Sequence, residues 1–293
     1  MDHFQFKDGV MHAEGVSLET LAREVGTPFY CYSSATMERH FTVFRDAVAH
    51  LGSEPPLVAF AVKANPNLAV LQTLARLGAG ADVVSGGELA RALAAGVPAE
   101  RIVFSGVGKT RAELAAGVEA GILQFNVESE AEIDMLAEVA AAKGATVEIA
   151  IRINPAVDPR THGKISTGGA DAKFGIPWER LPAAFAQAAA HPNLKPVGLA
   201  AHIGSQLTDL KPVEDAIRKL GALARELEAA GHRIKRIDVG GGLGVPYRRD
   251  QPAPPPPTEY AAMVARATAG WPWRLMFEPG RMIVGNAGVL VSE

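Results

Sequence analysis

The chain has 293 residues, 48% hydrophobic and 21% charged, with a formal net charge of -3. That is enough for one large domain, and it excludes both a disordered polyelectrolyte and a concentrated basic face for nucleic acid. The longest apolar stretches, such as Leu57 to Val62, fall far short of the roughly 20 residues a membrane helix needs. Met1-Asp2-His3-Phe4 begins no secretory signal. A single cysteine, Cys31, excludes an internal disulfide and a thiolate metal cluster and fits a reducing compartment, so a cytoplasmic enzyme is expected.

In chain order, residues 1–32 contain short alternating pieces, His3 to Phe6 and Phe29 to Tyr32, which predict strands and a helix beside the main body. Ser33 or Ser34 reads as the N-cap of a helix reaching about Leu51. Eight strand-length apolar runs follow: Leu57 to Lys63, Ala81 to Ser85, Ile102 to Ser105, Ile122 to Val127, Val147 to Ile153, Val197 to Ile203, Ile234 to Val239 and Arg274 to Glu278. Between them lie Ala- and Leu-rich stretches of helical spacing, such as Leu68, Leu71, Leu74 and Ala75, then Glu88 to Ala95. Strands alternating with helices imply parallel pairing, and eight such units fit an α/β fold of the (β/α)₈ TIM-barrel type better than an open sheet. Thr161 to Gly175, rich in Gly and Lys, predicts a long loop, and Gln251 to Thr258, with four consecutive prolines, a stiff surface connection.

Polar residues gather at the C-terminal ends of these runs, where a barrel places its chemistry. Lys63 closes Ala61-Val62-Lys63-Ala64-Asn65; it is either a solvated strand-end lysine or a desolvated Schiff-base amine. His202, before Gly204 and Ser205, is either a hydrogen-bonded core histidine or a group facing the barrel mouth. Asp82 and Arg152 sit inside apolar strands, where charges are almost never left unpaired; a structural ion pair and a role around a cofactor both remain open. Asp238-Val239-Gly240-Gly241-Gly242-Leu243-Gly244 is no dinucleotide fingerprint, because Val245 and Pro246 stop the helix that should follow. After a seventh barrel strand, however, exposed backbone N–H groups of such a turn suit a phosphate. Glu278-Pro279-Gly280-Arg281 supplies a carboxylate, a tight turn and an anion-binding guanidinium. Gly106-Val107-Gly108-Lys109-Thr110 imitates the end of a P-loop, but Val103 stands where that motif needs glycine, so Lys109 is expected in the first turn of a surface helix. The eight histidines are scattered without ligand spacing, so no metal is expected.

Together these motifs resemble the fold type III pyridoxal-phosphate decarboxylases, and most closely the diaminopimelate decarboxylases. The resemblance also rests on Thr27-Pro28-Phe29-Tyr30-Cys31-Tyr32, Ala81-Asp82-Val83-Val84-Ser85-Gly86-Gly87-Glu88-Leu89, Phe125-Asn126-Val127-Glu128-Ser129 and His202-Ile203-Gly204-Ser205-Gln206. Ser105 to Lys109, Lys164-Ile165-Ser166-Thr167-Gly168 and Lys173-Phe174-Gly175 look specific to the diaminopimelate branch. The implied activity is decarboxylation of meso-2,6-diaminopimelate to L-lysine with pyridoxal 5'-phosphate. Decarboxylation of ornithine, arginine or carboxynorspermidine, or a cofactor-binding barrel without turnover, are the alternatives.

The resemblance implies catalytic roles for Lys63, His202 and Glu278. Lys63 would hold the cofactor covalently, Glu278 would pair with the pyridine nitrogen, and His202 would stack on the ring. Asp82 and Arg152 would support that arrangement; Ser205, Gly240, Gly241, Gly242, Pro279, Gly280 and Arg281 would hold the phosphate, with Arg281 also reaching a substrate carboxylate. It further implies a homodimer and a C-terminal β domain that completes the partner's site. The expected organisation is an extension over residues 1–32, the barrel over 33–288, and the start of that β domain at 289–293, with the domain itself and its proton donor expected to be absent from this chain.

Overall fold

The computed structural model describes residues 3–155, 174–247 and 253–293. The chain opens with three antiparallel strands, β1 (Phe4–Lys7), β2 (Val10–Ala13) and β3 (Val16–Ser17), followed by α1 (Leu18–Val25) and β4 (Phe29–Tyr32). Helix α2 (Ser34–Val48) is capped by Ser33, whose hydroxyl accepts from the Thr36 backbone N–H. It buries Met37, Phe41, Phe44 and Val48 against the barrel.

The eight expected strands are present, alternating with helices: β5 (Leu57–Ala61), α3 (Leu68–Arg76), β6 (Gly80–Val83), α4 (Gly86–Ala94), β7 (Ile102–Phe104), α5 (Arg111–Ala120), β8 (Gln124–Val127), α6 (Glu130–Ala142) and β9 (Val147–Asn154). A two-residue strand, β10 (Ile176–Pro177), adds to the β9 edge before α7 (Leu181–Ala190). The barrel resumes with β11 (Leu194–Ala200), α8 (Lys211–Ala229), β12 (Arg236–Asp238), α9 (Pro257–Ala267) and β13 (Arg274–Phe277). Every neighbouring barrel pair is parallel, and pairing of β13 with β5 and of β8 with β9 closes the ring. Beyond the short helix α10 (Arg281–Val284), β14 (Gly288–Val291) turns back to pair antiparallel with β4.

The period-two side-chain alternation of a strand divides the barrel into two environments. Val58 and Phe60 of β5, Phe125 and Val127 of β8 and Ile237 of β12 face the helices in the main core, while Leu57, Ala59, Val103 and Met276 form a separate cluster inside the bore. The remaining alternate positions on β8 and β12, namely Gln124, Asn126, Arg236 and Asp238, are buried and polar. One half of the bore is therefore greasy and the other half hydrogen-bonded.

Six strands stop earlier than their apolar runs suggest: β6 at Val83, β7 at Phe104 and β12 at Asp238, besides the three that lead to Lys63, His202 and Glu278. β5 ends at Ala61, whose N–H donates to Pro279 O at 3.1 Å, and Lys63 lies in a 3-10 turn over Val62–Ala64. β11 ends at Ala200 and β13 at Phe277, so His202 and Glu278 sit just past their strands.

Candidate active site

Each side chain that the sequence singles out is delivered by a strand end to one rim. Register pairs Ala61 with Asp82, and the turn that follows β5 brings Lys63 Nζ to 2.9 Å from Asp82 Oδ2. Asp82 is completely buried, and its Oδ1 has no hydrogen-bond partner. The Lys63 side chain is 47% exposed, because the mouth stands open above it while protein surrounds the amine on its other sides. Burial opposes the ammonium form, but Asp82 and then Glu278 outweigh it and raise the Lys63 amine above its ordinary value.

His202 accepts a hydrogen bond at Nδ1 from the Gly241 backbone N–H, 3.2 Å away, which assigns its proton to Nε2. Burial, reinforced by the charges of Lys63 and Arg152, lowers its pKa well below 6.5, so the ring is neutral near pH 7. Arg152 does not pair with Asp82; its Nη1 lies 2.8 Å from Glu128 Oε1, and its guanidinium is 5.1 Å from the Phe174 ring centre. The mutual ion pair that the sequence left open is thus replaced by two separate ones, Lys63–Asp82 and Arg152–Glu128.

The glycine turn after β12 is held by its contacts. Gly240 N–H donates to Asp238 Oδ1 at 2.9 Å, and Gly240 O accepts from Glu278 N at 2.8 Å. A Cβ at Gly241 would stand 2.1 Å from Glu278 O, and Gly242 has φ +106° with Gly204 O 2.2 Å from its Cβ position, so only glycine fits at either. Gly280 packs less tightly, its Cβ position 3.0 Å from the Ala61 and Ala64 Cβ atoms, and Pro279 O accepts from the Ala61 N–H at the end of β5. Arg281, the first residue of α10, donates through Nε to Ser205 Oγ at 3.1 Å and through Nη1 to the Tyr247 hydroxyl. Lys63, Asp82, Arg152, His202 and Glu278 thus converge at the centre, with Ser205, the glycine turn and Pro279 to Arg281 on one side of them.

Lys109 corrects its expectation. It precedes α5 instead of entering it, its side chain is fully buried, and its three N–H donors reach Glu132 Oε1 at 2.6 Å, Gly106 O at 2.7 Å and Asn126 O at 2.9 Å. Thr110, not Lys109, starts the helix, through a capping box with Glu113. Lys164 to Gly168 and Lys173 lie outside the described residues.

Four members of the site received no role from the sequence: Ser105, Asn126, Glu128 and Asp238. Ser105 Oγ is 3.3 Å from Glu278 Oε1, and Asn126 Nδ2 reaches Ser105 Oγ, Asp238 Oδ2 and Glu278 Oε1 at 3.1, 3.3 and 3.4 Å. The signal was present, since each is a polar residue within or ending an apolar strand run, as Asp82 and Arg152 are. What the pattern lacks is the knowledge that they meet.

The fold and this site define a barrel whose mouth is built around one lysine and several buried carboxylates. Residues 34–285 match the family model described as the pyridoxal-binding domain of pyridoxal-dependent decarboxylases. The diaminopimelate decarboxylase of Zymomonas mobilis is 51% identical over 290 residues, covering 99% of this chain and 69% of its own. That of Vibrio cholerae is 50% identical, covering all of this chain and 70% of its own. Among solved structures, diaminopimelate decarboxylase from M. jannaschii in co-complex with L-lysine superposes with a TM-score of 0.92 at 38% identity, covering 99% of this chain and 69% of that one. The Helicobacter pylori enzyme complexed with L-lysine gives 0.89 at 39%, covering 93% and 68%. The chain belongs to the pyridoxal-dependent decarboxylases, and within them to the diaminopimelate decarboxylase family.

Proposed function

We propose that this chain is the barrel of a pyridoxal-phosphate-dependent carboxy-lyase that converts meso-2,6-diaminopimelate to L-lysine and carbon dioxide. The observation that carries the reading is the convergence of Lys63, Asp82, His202 and Glu278 at one rim. The residues fit the cofactor on physical grounds. Asp82 Oδ1 is buried and unbonded, Glu278 is a buried carboxyl that burial and its acidic neighbours hold well above the ordinary range, and two glycines leave no room for a Cβ beside Glu278 and Gly204. A site with such groups calls for a ligand that brings positive charge and hydrogen-bond donors.

When bound, pyridoxal phosphate supplies a protonated ring that accepts the electron pair left as carbon dioxide departs. Lys63 is the residue to hold it, with Asp82 fixing the amine in place. His202, neutral and oriented by the Gly241 N–H, offers a flat uncharged face for the ring without competing for the substrate's carboxylates. Glu278 holds a proton toward the ring nitrogen. Ser205, Gly240 to Gly242 and Gly280 to Arg281 are assigned to the phosphate, and Arg281, braced by Ser205 and Tyr247, to a substrate carboxylate as well. The same reading assigns residues 33–288 to the cofactor-binding barrel, and takes the enzyme to be cytoplasmic and homodimeric, acting on a small amino acid.

Borohydride reduction followed by peptide mass analysis tests the cofactor assignment: the mass of reduced pyridoxal phosphate is expected on the Lys63 peptide and on no peptide of Lys63→Ala. Carbon dioxide release from diaminopimelate, with ornithine and arginine as controls, tests the substrate, and preference for either control overturns it.

A further inference from the structure

Three carboxylates, Asp82, Asp238 and Glu278, are 0%, 1% and 7% exposed, and among the described residues the one ammonium paired with any of them is Lys63, hydrogen-bonded to Asp82. Arg152 is taken by Glu128, and His202 is neutral. Among the described residues, the other groups that face Asp238 and Glu278 are uncharged: Ser105 from the end of β7, Asn126 from β8, the Gly240 N–H, and the Tyr260 phenol on α9, which burial and the nearby Asp238 charge hold above its ordinary value. Asn126 ties the two acids together, and its orientation is not free. Arg236 can only donate, so its Nε bond of 3.0 Å fixes Gln124 Oε1 as acceptor; Gln124 Nε2 then donates to Asn126 Oδ1 at 2.8 Å, and Asn126 must turn its NH₂ toward Asp238 and Glu278. A column of side chains from the bore thereby sets one amide between two buried acids. Like charges so placed do not both ionise.

We infer that Asp238 and Glu278 share one proton in the apoprotein, and that Asp238 is the positioning residue that keeps Glu278 proton-bearing where the pyridine ring nitrogen will sit. Burial and the Asp238 charge push Glu278 well above the carboxyl range, and burial raises Asp238 as well, which agrees with one proton for the pair. The inference takes its consequence from the pyridoxal-phosphate reading: on binding, the Glu278 O–H bond breaks, an N–H bond forms at the nitrogen lone pair, and a carboxylate remains beside the new cation. No other proton source is needed.

The test is isotope-edited infrared spectroscopy of the apoprotein with carbon-13 glutamate. A protonated-acid carbonyl band is expected at neutral pH, absent from Glu278→Gln. In Asp238→Asn it is expected to titrate at least about one pH unit lower, a tenfold or greater fall in proton affinity. A missing band in the wild type, or an unshifted one in Asp238→Asn, overturns the inference. Should Asp238→Asn not fold, titration of the wild-type band decides: loss within the ordinary glutamate range overturns it, loss above that range supports it. In the loaded enzyme Asp238→Asn is expected to lower kcat about tenfold or more with KM little changed. A reduced adduct on Lys63 without the infrared band sinks this inference and spares the cofactor assignment; the band without the adduct does the reverse.

Discussion

Two buried charge clusters lie side by side at the barrel mouth and differ in their balance. In the outer one, Lys109 and Arg152 meet Glu132 and Glu128, two cations against two anions, with Glu132 Oε2 and Glu128 Oε1 also accepting the N–H groups of Glu128 and Gly106. In the inner one, the described residues set three carboxyl groups, Asp82, Asp238 and Glu278, against one paired cation, Lys63. The outer cluster is balanced in charge and anchors the loops after β7 and β8, although Glu128 Oε2 has no hydrogen-bond partner. The inner one is, among the described residues, short of positive charge; it too has an unbonded carboxylate oxygen, at Asp82, so only the charge balance separates the two. Burial alone therefore does not separate architecture from chemistry; a surplus of one sign does.

Perturbing the inner cluster at its cation should have the largest effect. Lys63→Ala is expected to cut kcat/KM for diaminopimelate by at least about 10³-fold, the scale of losing an activated nucleophile, with the folded barrel preserved by circular dichroism. Perturbing the outer cluster should act on stability. Lys109→Met leaves Glu132 buried and unpaired, and breaking such a pair costs about 3 to 5 kcal/mol in urea unfolding. Adding Glu132→Leu should return most of that loss, which a catalytic role for Lys109 would not allow.

A third contrast is in the pH dependence of stability. Burial lowers His202 below 6.5, so below that pH the unfolded chain binds a proton that the folded one does not, and stability falls as pH drops. Glu278 has the opposite sign: raised above 4.5, its contribution is full below that value and is lost as pH rises toward the folded one. Between the two reference values the slopes offset. Glu278→Gln should expose a loss of about 1.4 kcal/mol per pH unit on acidification, and His202→Gln a gain of similar size. Denaturant titrations across that interval measure both, and parallel curves for the two variants would break the contrast. The smallest effect is expected at the surface pair Arg111–Glu138, whose side chains are 61% and 63% exposed; Arg111→Ala should change stability by less than about 1 kcal/mol.

Much of this was legible in the sequence because the barrel repeats a local pattern. Apolar runs at Leu57, Ile102 and Val147 locate strands, and Ser33 marks where a helix starts. Lys63, His202 and Glu278 stood out because polar groups at the ends of apolar runs must face either solvent or a site. Lys109 was misread for the same reason: proximity to a helix start says nothing about whether a lysine points outward or into three acceptors. Arg152 and Asp82 were seen to need partners, but the partners, Glu128 and Lys63, come from other strands.

The sequence by itself determined the strand and helix rhythm, the barrel class, the chemical types available at each rim position and the likeness to pyridoxal-phosphate decarboxylases, because these rest on short-range periodicity and motif. Only the tertiary structure decided which charges neutralise one another, that Arg236 on β12 orients Gln124 and Gln124 orients Asn126 on β8, and that Asp238 lies against Glu278. Contacts of this site join residues as much as 173 positions apart, as between Ser105 and Glu278. Closure of the ring creates them, and nothing in the local order of residues encodes the distance across a barrel.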